Sequence, residues 1–483
     1  MAYDYEQLDS LLDDAAREAA FADLTRRDGW DYDNGKDYVV KTENYGESSS
    51  VQTVYFDGRA TLGGYNIGAT SPTEPFPSLA ADYAGMVSGW RSKLDQTVSG
   101  WDGVPKPSIL DDAKTQCLLG VQKLAGGTGN GGSQFGNPDL EAIGYIRSFI
   151  PSPDQAGQTI SAFYTNYGPD RLETVLDGHC EAVAALGVAI TGTQKLFETC
   201  REDVANLVGN VKEAFRQTRK DYSNLQTITT VLTVVNASTG LLGVFLGPGV
   251  GTAAIGGLSA GTSFLSTALG LLPKPTESKL PYSGSSPNDV YNDFKKAFST
   301  LEEKAKAQDQ GLEAVLESML TAVADPVNRR NFHVHPGEGQ APLGDTINVK
   351  YSTLEHIGYE SMPTVARAFL QAADQVESSN QINAWIRTGI VGAGTYGCYF
   401  AWRDLAYQIT PLLNDTGAEV VGAGESLAEA AGYLRDSDGW AKDKLGANYK
   451  ELEGAELGWQ DPYVPPPPPP RQRPNDGWGV GGI

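Results

Sequence analysis

The sequence predicts an all-α protein. It reads as an elongated helical bundle with a central uncharged helical hairpin, a small β-hairpin near the N-terminus and a disordered Pro-rich C-terminal tail. Three observations carry this. Apolar residues recur at helical spacing through much of the chain. The 52 residues between Asp221 and Lys274 hold no Asp, Glu, Lys or Arg, in a chain that is 20% charged. The last 20 residues, "VPPPPPPRQRPNDGWGVGGI", contain six consecutive prolines, which favour a polyproline II rod and cannot build a core.

At the N-terminus, "MAYDYEQLDSLLDDAAREAAF" reads as a short acidic amphipathic helix over residues 1–24. It lacks a basic region followed by an apolar run, so no Sec-type signal peptide is expected there. Residues 36–66 are rich in Tyr, Val and Thr with Gly breaks, the composition of a hairpin or extended arm. Residues 1–74 thus form a first unit of helix and arm.

The main bundle spans 75–325. Leu79, Tyr83, Val87, Trp90 and Leu94 share one helix face. "SGWDGVPKP" interrupts, and Ile109, Ala113, Cys117, Val121 and Leu124 mark a second helix before a Gly-rich loop at 126–138. A long helix follows over about 170–221, with Val204, Leu207, Val208, Val211 and Phe215 as its stripe. Ser286-Pro287-Asn288-Asp289 is a helix start signal, and Val290, Phe294 and Leu301 continue it towards residue 325. Residues 326–362 read as a loop region. Residues 363–457 read as a C-terminal helical bundle, and 458–483 as the Pro/Gly tail.

The uncharged run, 222–273, divides at Gly247-Pro248-Gly249, where Pro blocks helix continuation and Gly permits a tight turn. The expected result is a helical hairpin with limbs of about 21 and 23 residues, each long enough for about 30 Å of hydrocarbon. Hydroxyls crowd the first limb and Gly and Ala the second, which suits backbone packing. Composition favours burial between the flanking charged helices. The alternative is release into a membrane, as in helical pore-forming toxins. Constitutive spanning is disfavoured, because neither flank carries a basic cluster.

A net charge of −23 repels phosphates, and no basic patch interleaved with aromatics is visible, so no nucleic-acid partner is expected. Cys117, Cys180, Cys200 and Cys398 are widely and irregularly spaced and read as free, half-buried thiols. Gly392, Gly394 and Gly397 mimic a dinucleotide fingerprint, but the chain left after them is too short for that domain. They read instead as a Gly-rich joint between helices. His333 and His335, with Glu338 near, lack a third strong metal ligand and read as a solvated loop. No catalytic, cofactor-binding or metal-binding residue is expected, and no cofactor.

Several stretches together resemble actinobacterial substrates of the type VII (ESX) secretion system, the WxG-type helical proteins. Trp101-Asp102-Gly103 is a WxG turn between two helices, although Pro105 and Pro107 postpone the second. The uncharged run is followed by "LPYSGSSPNDVYNDFKKAF", an arrangement associated with long members. The stretch from "GAGTYGCYFAWRDLAYQ" to "AGYLRDSDG" is similar to their C-terminal bundle. Tyr449 and Glu453 fit the YxxxD/E export signal; Tyr5 and Asp9 satisfy it too. The resemblance implies a non-enzymatic protein, secreted or in the cell envelope, that works through protein–protein contacts. Its partners would be the secretion machinery and a small WxG-type protein, with homo-oligomers possible and membrane contact not constitutive.

Overall fold

The computed structural model describes residues 3–435, apart from short breaks at 34, 46–47, 67–68, 71–73, 238–239 and 276–277 and longer ones at 126–136, 150–157, 221–226, 247–263 and 335–349. It is mostly helical, with a small antiparallel sheet near the N-terminus and a long central apolar helix. The all-α expectation is therefore corrected.

The expected hairpin is the middle of a larger sheet. β1 (Trp30–Tyr32), β2 (Tyr38–Tyr45), β3 (Ser48–Tyr55) and β4 (Ala60–Asn66) form an antiparallel meander, and β5 (Ala69–Thr70) and β6 (Glu74–Pro75) both pair with β4. The register sets Val39 opposite Val54, and both are buried. Six strands form because the sheet has a helix to cover it, which an isolated hairpin lacks. That helix is α1 (Leu8–Thr25). Its Phe21 meets Tyr32, Phe56 and Tyr83 edge-to-face, with ring centroids 6.0, 5.5 and 6.5 Å apart.

α2 (Pro77–Val98) buries Tyr83, Trp90 and Leu94, as its spacing predicts. α3 (Asp111–Leu124) buries Ala113, Cys117, Val121 and Leu124, while Ile109 stays exposed ahead of it and Leu110 turns inward. α4 (Glu141–Phe149) and α5 (Gln158–Tyr167) lead into α6 (Pro169–Gln217). At 49 residues, α6 runs about 74 Å. A single stripe does not describe it. From Val175 to Phe197 it is buried nearly all round, as the axis of the bundle, and beyond that Glu198 and Glu202 mark a solvent face. The stretch Ala162–Gln217 is long and apolar enough to cross a membrane, yet 94% of its most apolar window is inside the protein.

α9 (Pro287–Ala324) lies along α6. Its start matches the sequence: the Ser286 hydroxyl accepts from the Asp289 amide at 3.3 Å, and the Asp289 carboxylate accepts from the Ser286 amide at 3.1 Å. Where it is described, the 326–362 region is largely helical. It contains α10 (Arg329–Phe332) and α11 (Tyr351–His356), which continues through a π turn at Ile357–Ser361 into α12 (Met362–Ser378). The helix expected to resume at Pro363 is already running at Tyr351, and Pro363 follows closely on the π turn. α13 (Tyr399–Arg435) packs against α12.

Candidate functional site

The uncharged run does not open as a long helix. β7 (Ile228–Val231) pairs antiparallel with β8 (Lys279–Tyr282), Ile228 opposite Tyr282. A 3-10 turn at Val234–Asn236 and α7 (Leu241–Leu246) follow, and α8 (Phe264–Leu269) closes the run. The reason lies in "TITTV" at 227–231, whose β-branched side chains fit a pleated strand better than a helix. The expected turn, Gly247, Pro248 and Gly249, lies outside the described residues.

What the described parts share is a seat on α6. Asp203, fully buried, takes the Thr233 amide at 2.7 and 2.9 Å, the Thr233 hydroxyl at 2.9 Å and the Val234 amide at 2.8 Å. One carboxylate thus satisfies the donors that start the 3-10 turn. Burial raises its pKa to about 6 against the opposing pull of those hydrogen bonds. Two turns nearer the N-terminus of the run, the Asn210 amide donates to the Thr230 hydroxyl at 2.8 Å, and the Tyr282 hydroxyl donates to the Leu207 carbonyl at 3.1 Å. At the far end Glu181, also buried, accepts from the Leu265 amide at 3.1 Å, and burial raises its pKa too. Between the two carboxylates, Gly187 leaves room for the tip of the Phe245 ring: a Cβ there would stand 2.1 Å from Cζ.

The WxG turn is a buried corner. α2 ends at Val98 and α3 begins at Asp111; Pro105 stands in the short stretch between turn and helix, and Pro107 opens a 3-10 turn, Pro107–Leu110, that leads into α3. Trp101 is 2% exposed, with its ring 6.1 Å from that of Phe298 on α9. Three distant segments brace it further. The Tyr5 hydroxyl donates to the Trp101 carbonyl and accepts from the Val104 amide, and Arg201 of α6 stacks over the Tyr5 ring and donates to the Val104 carbonyl at 2.8 Å. Thr388 donates to the Gly100 carbonyl at 2.6 Å, and its methyl also limits the space at Gly103, whose Cβ would lie 3.2 Å away. α2 then packs on α1, whereas α3 packs on α6 and α12. A cleft of about 460 Å³ opens beside the corner, lined by Thr97, Ser99, Trp101, Tyr291, Lys295 and Ile390.

The Gly-rich joint at 386–398 encloses an ion pair. Arg387 Nη2 stands 2.6 Å from Asp309 Oδ2, both side chains fully buried. The Ala393 amide donates to the same Asp309 oxygen at 2.8 Å, and Arg387 Nε donates to the Gly394 carbonyl at 3.3 Å. Gly397 has φ +52°, and a Cβ on it would land on the guanidinium. The glycines thus wrap a side chain of the protein itself.

The four cysteines are free and fully buried, not half-buried. Burial pushes the Cys117 thiol up to about 12 and raises the other three further. His333 is half-buried at the end of α10, its carbonyl held by Arg171, while His335 and Glu338 lie outside the described residues. So do Tyr449, Glu453 and the tail. Among the described residues no group of three or more His, Cys, Asp or Glu is placed to hold a metal. Sequence reading missed Asp203, Glu181 and the Asp309–Arg387 pair. For Asp203 a signal existed: Cys200, Val204 and Leu207 put it on an apolar helix face, where a carboxylate needs a specific partner. No protein-family model, curated protein or solved structure matches the chain.

Proposed function

We propose that this is a non-enzymatic helical protein exported by a type VII secretion system, acting through protein–protein contacts at the envelope or outside the cell. The observation that carries the reading is Trp101-Asp102-Gly103 itself, with the tryptophan buried in the connection, residues 99–110, that joins α2 to α3. Export is read by Tyr449 and Glu453, which on a helix would share a face. Deleting 445–483, or replacing both residues by Ala, abolishes export in a host carrying the secretion ATPase. Export that persists in the deletion, or in a host lacking that ATPase, refutes it.

A second reading has its own support. The run 222–273 has no charge over 52 residues, and two buried carboxylates hold its described parts to α6. In this reading the run leaves its seat and perturbs a membrane. Dye release from vesicles, lost on Val234→Lys, is the expected result; no release at any pH or lipid composition removes it.

A further inference from the structure

We propose that the cleft beside the WxG corner binds a short free peptide by its two charged ends. Lys295 takes the carboxylate, Glu302 takes the amine, and an apolar side chain lies on the floor between them. The site is independent of both the export and the membrane readings.

The cleft exists because α2 stops where α9 does not. The two helices meet at Trp90 and Tyr291, with ring centroids 6.1 Å apart, and the Tyr291 hydroxyl donates to the Lys93 carbonyl at 3.1 Å. α2 ends at Val98, and the chain turns away through Gly100 at φ +89°. α9 continues to Ala324, and its face bearing Lys295, Ser299 and Glu302 is left exposed. Ile390 of the Gly-rich joint closes the far side, so near that a Cβ on Gly100 would stand 2.9 Å from it. The space of about 460 Å³ lies within the range of small-ligand sites.

The lining names the ligand class. Trp101, Phe298 and Ile390 make an apolar floor. Lys295 and Glu302 are exposed, and among the described residues neither joins an ion pair. The Lys295 ammonium rests 4.8 Å from the centre of the Tyr291 ring, which holds it at one end. The two charges are seven positions apart on one face of α9, about 10.5 Å along its axis. On the rim, the side chains of Gln96, Ser99 and Ser299 make no hydrogen bond among the described residues. They offer both donors and acceptors, as a peptide backbone requires. A cation and an anion at this separation match a zwitterion of similar length. A single amino acid is too short, because its amine and carboxylate share one carbon. Three extended residues span about 10–11 Å. A phosphorylated ligand would meet repulsion at Glu302 and from a chain at −23, and a neutral sugar would leave both charges unmatched. A tripeptide with free ends and an apolar middle residue satisfies the ends, the rim and the floor together.

The test is titration calorimetry on the full chain with the tripeptide alanyl-leucyl-alanine. Saturable binding at one site is expected. The same tripeptide acetylated at its amine and amidated at its carboxylate should bind about tenfold more weakly, and free leucine, which cannot reach both charges, no better than that. Lys295→Ala and Glu302→Ala should each weaken binding about two- to fivefold, the range for exposed ion pairs. The double variant Lys295→Glu/Glu302→Lys should restore it, because the peptide then binds the other way round. Ser299→Trp fills the cleft from an exposed position and should abolish binding. All these substitutions fall on exposed side chains, and circular dichroism establishes that each variant is folded. No saturation by about 10 mM tripeptide overturns the site. Binding that survives Ser299→Trp lies elsewhere and overturns it as well. Equal affinity for the blocked tripeptide, or affinity unchanged in both single alanine variants, overturns the assignment of the two ends.

Discussion

Arg387→Met removes one half of an ion pair whose side chains are both fully buried. Asp309 keeps the Ala393 amide at 2.8 Å, but its charge has lost its counter-ion, and the Gly394 carbonyl has lost the Arg387 Nε donor. Breaking a buried pair from one side costs about 3–5 kcal/mol, because the orphaned charge must be desolvated unaided. Asp309→Asn strands the guanidinium and should cost a similar amount. The double variant Asp309→Leu/Arg387→Met leaves no charge behind. Its cost reduces to two backbone groups without partners, about 1–3 kcal/mol each. The sum of the singles, about 6–10 kcal/mol, should therefore exceed the double by several kcal/mol. Trp385 and Trp402, both fully buried with rings 6.1 Å apart, lie beside this loop and report its unfolding by fluorescence in a urea titration. A single variant costing less than about 1 kcal/mol would mean that water reaches the pair, and a double costing the full sum would mean the charges are not coupled. Either result refutes the account of the Gly-rich loop as a housing for this pair.

Three other outcomes follow from the same geometry. Gly187→Val drives a side chain into the Phe245 ring and should cost about 1–3 kcal/mol, with exchange at 241–246 rising more than in α12. Trp101→Ala empties a buried corner and should cost about 3–5 kcal/mol in a denaturant titration, whereas Tyr5→Phe, which loses the bonds to the Trp101 carbonyl and Val104 amide, should cost about 1–2 kcal/mol. His179 is fully buried, and burial lowers its pKa to about 3 from 6.5. Above pH 6.5 its ring is neutral in both states; below, the unfolded chain takes up a proton that the folded chain refuses, so stability falls with acid, by about 2 kcal/mol at pH 5. His179→Gln should flatten that limb of the stability–pH curve.

Much of the helical frame was legible. The start of α9 follows from four residues, because a capping box is local chemistry. The faces of α2 and α3 follow from spacing, because each packs on one side. α6 was legible as a helix but not as the axis of the bundle, since what surrounds a helix is decided by segments remote in sequence. The uncharged run misled for a related reason. Absence of charge says that a segment is covered, not how it is wound, and the β-branched start at 227–231 was outweighed by length. At the site, Trp101 and Gly103 were legible as a turn, while its bracing by Tyr5, Arg201 and Thr388 joins residues up to 383 positions apart and has no local trace.

The sealing of all four thiols carries a consequence under oxidising conditions. An oxidant acts on a thiolate it can touch, and the folded molecule offers none at Cys117, Cys180, Cys200 or Cys398. In an oxidising medium the folded protein needs no reductant to keep these thiols free. Copies that meet while still unfolded have four sulfurs each with which to cross-link. Covalent dimers on a non-reducing gel therefore record incomplete folding and not an assembly the protein uses.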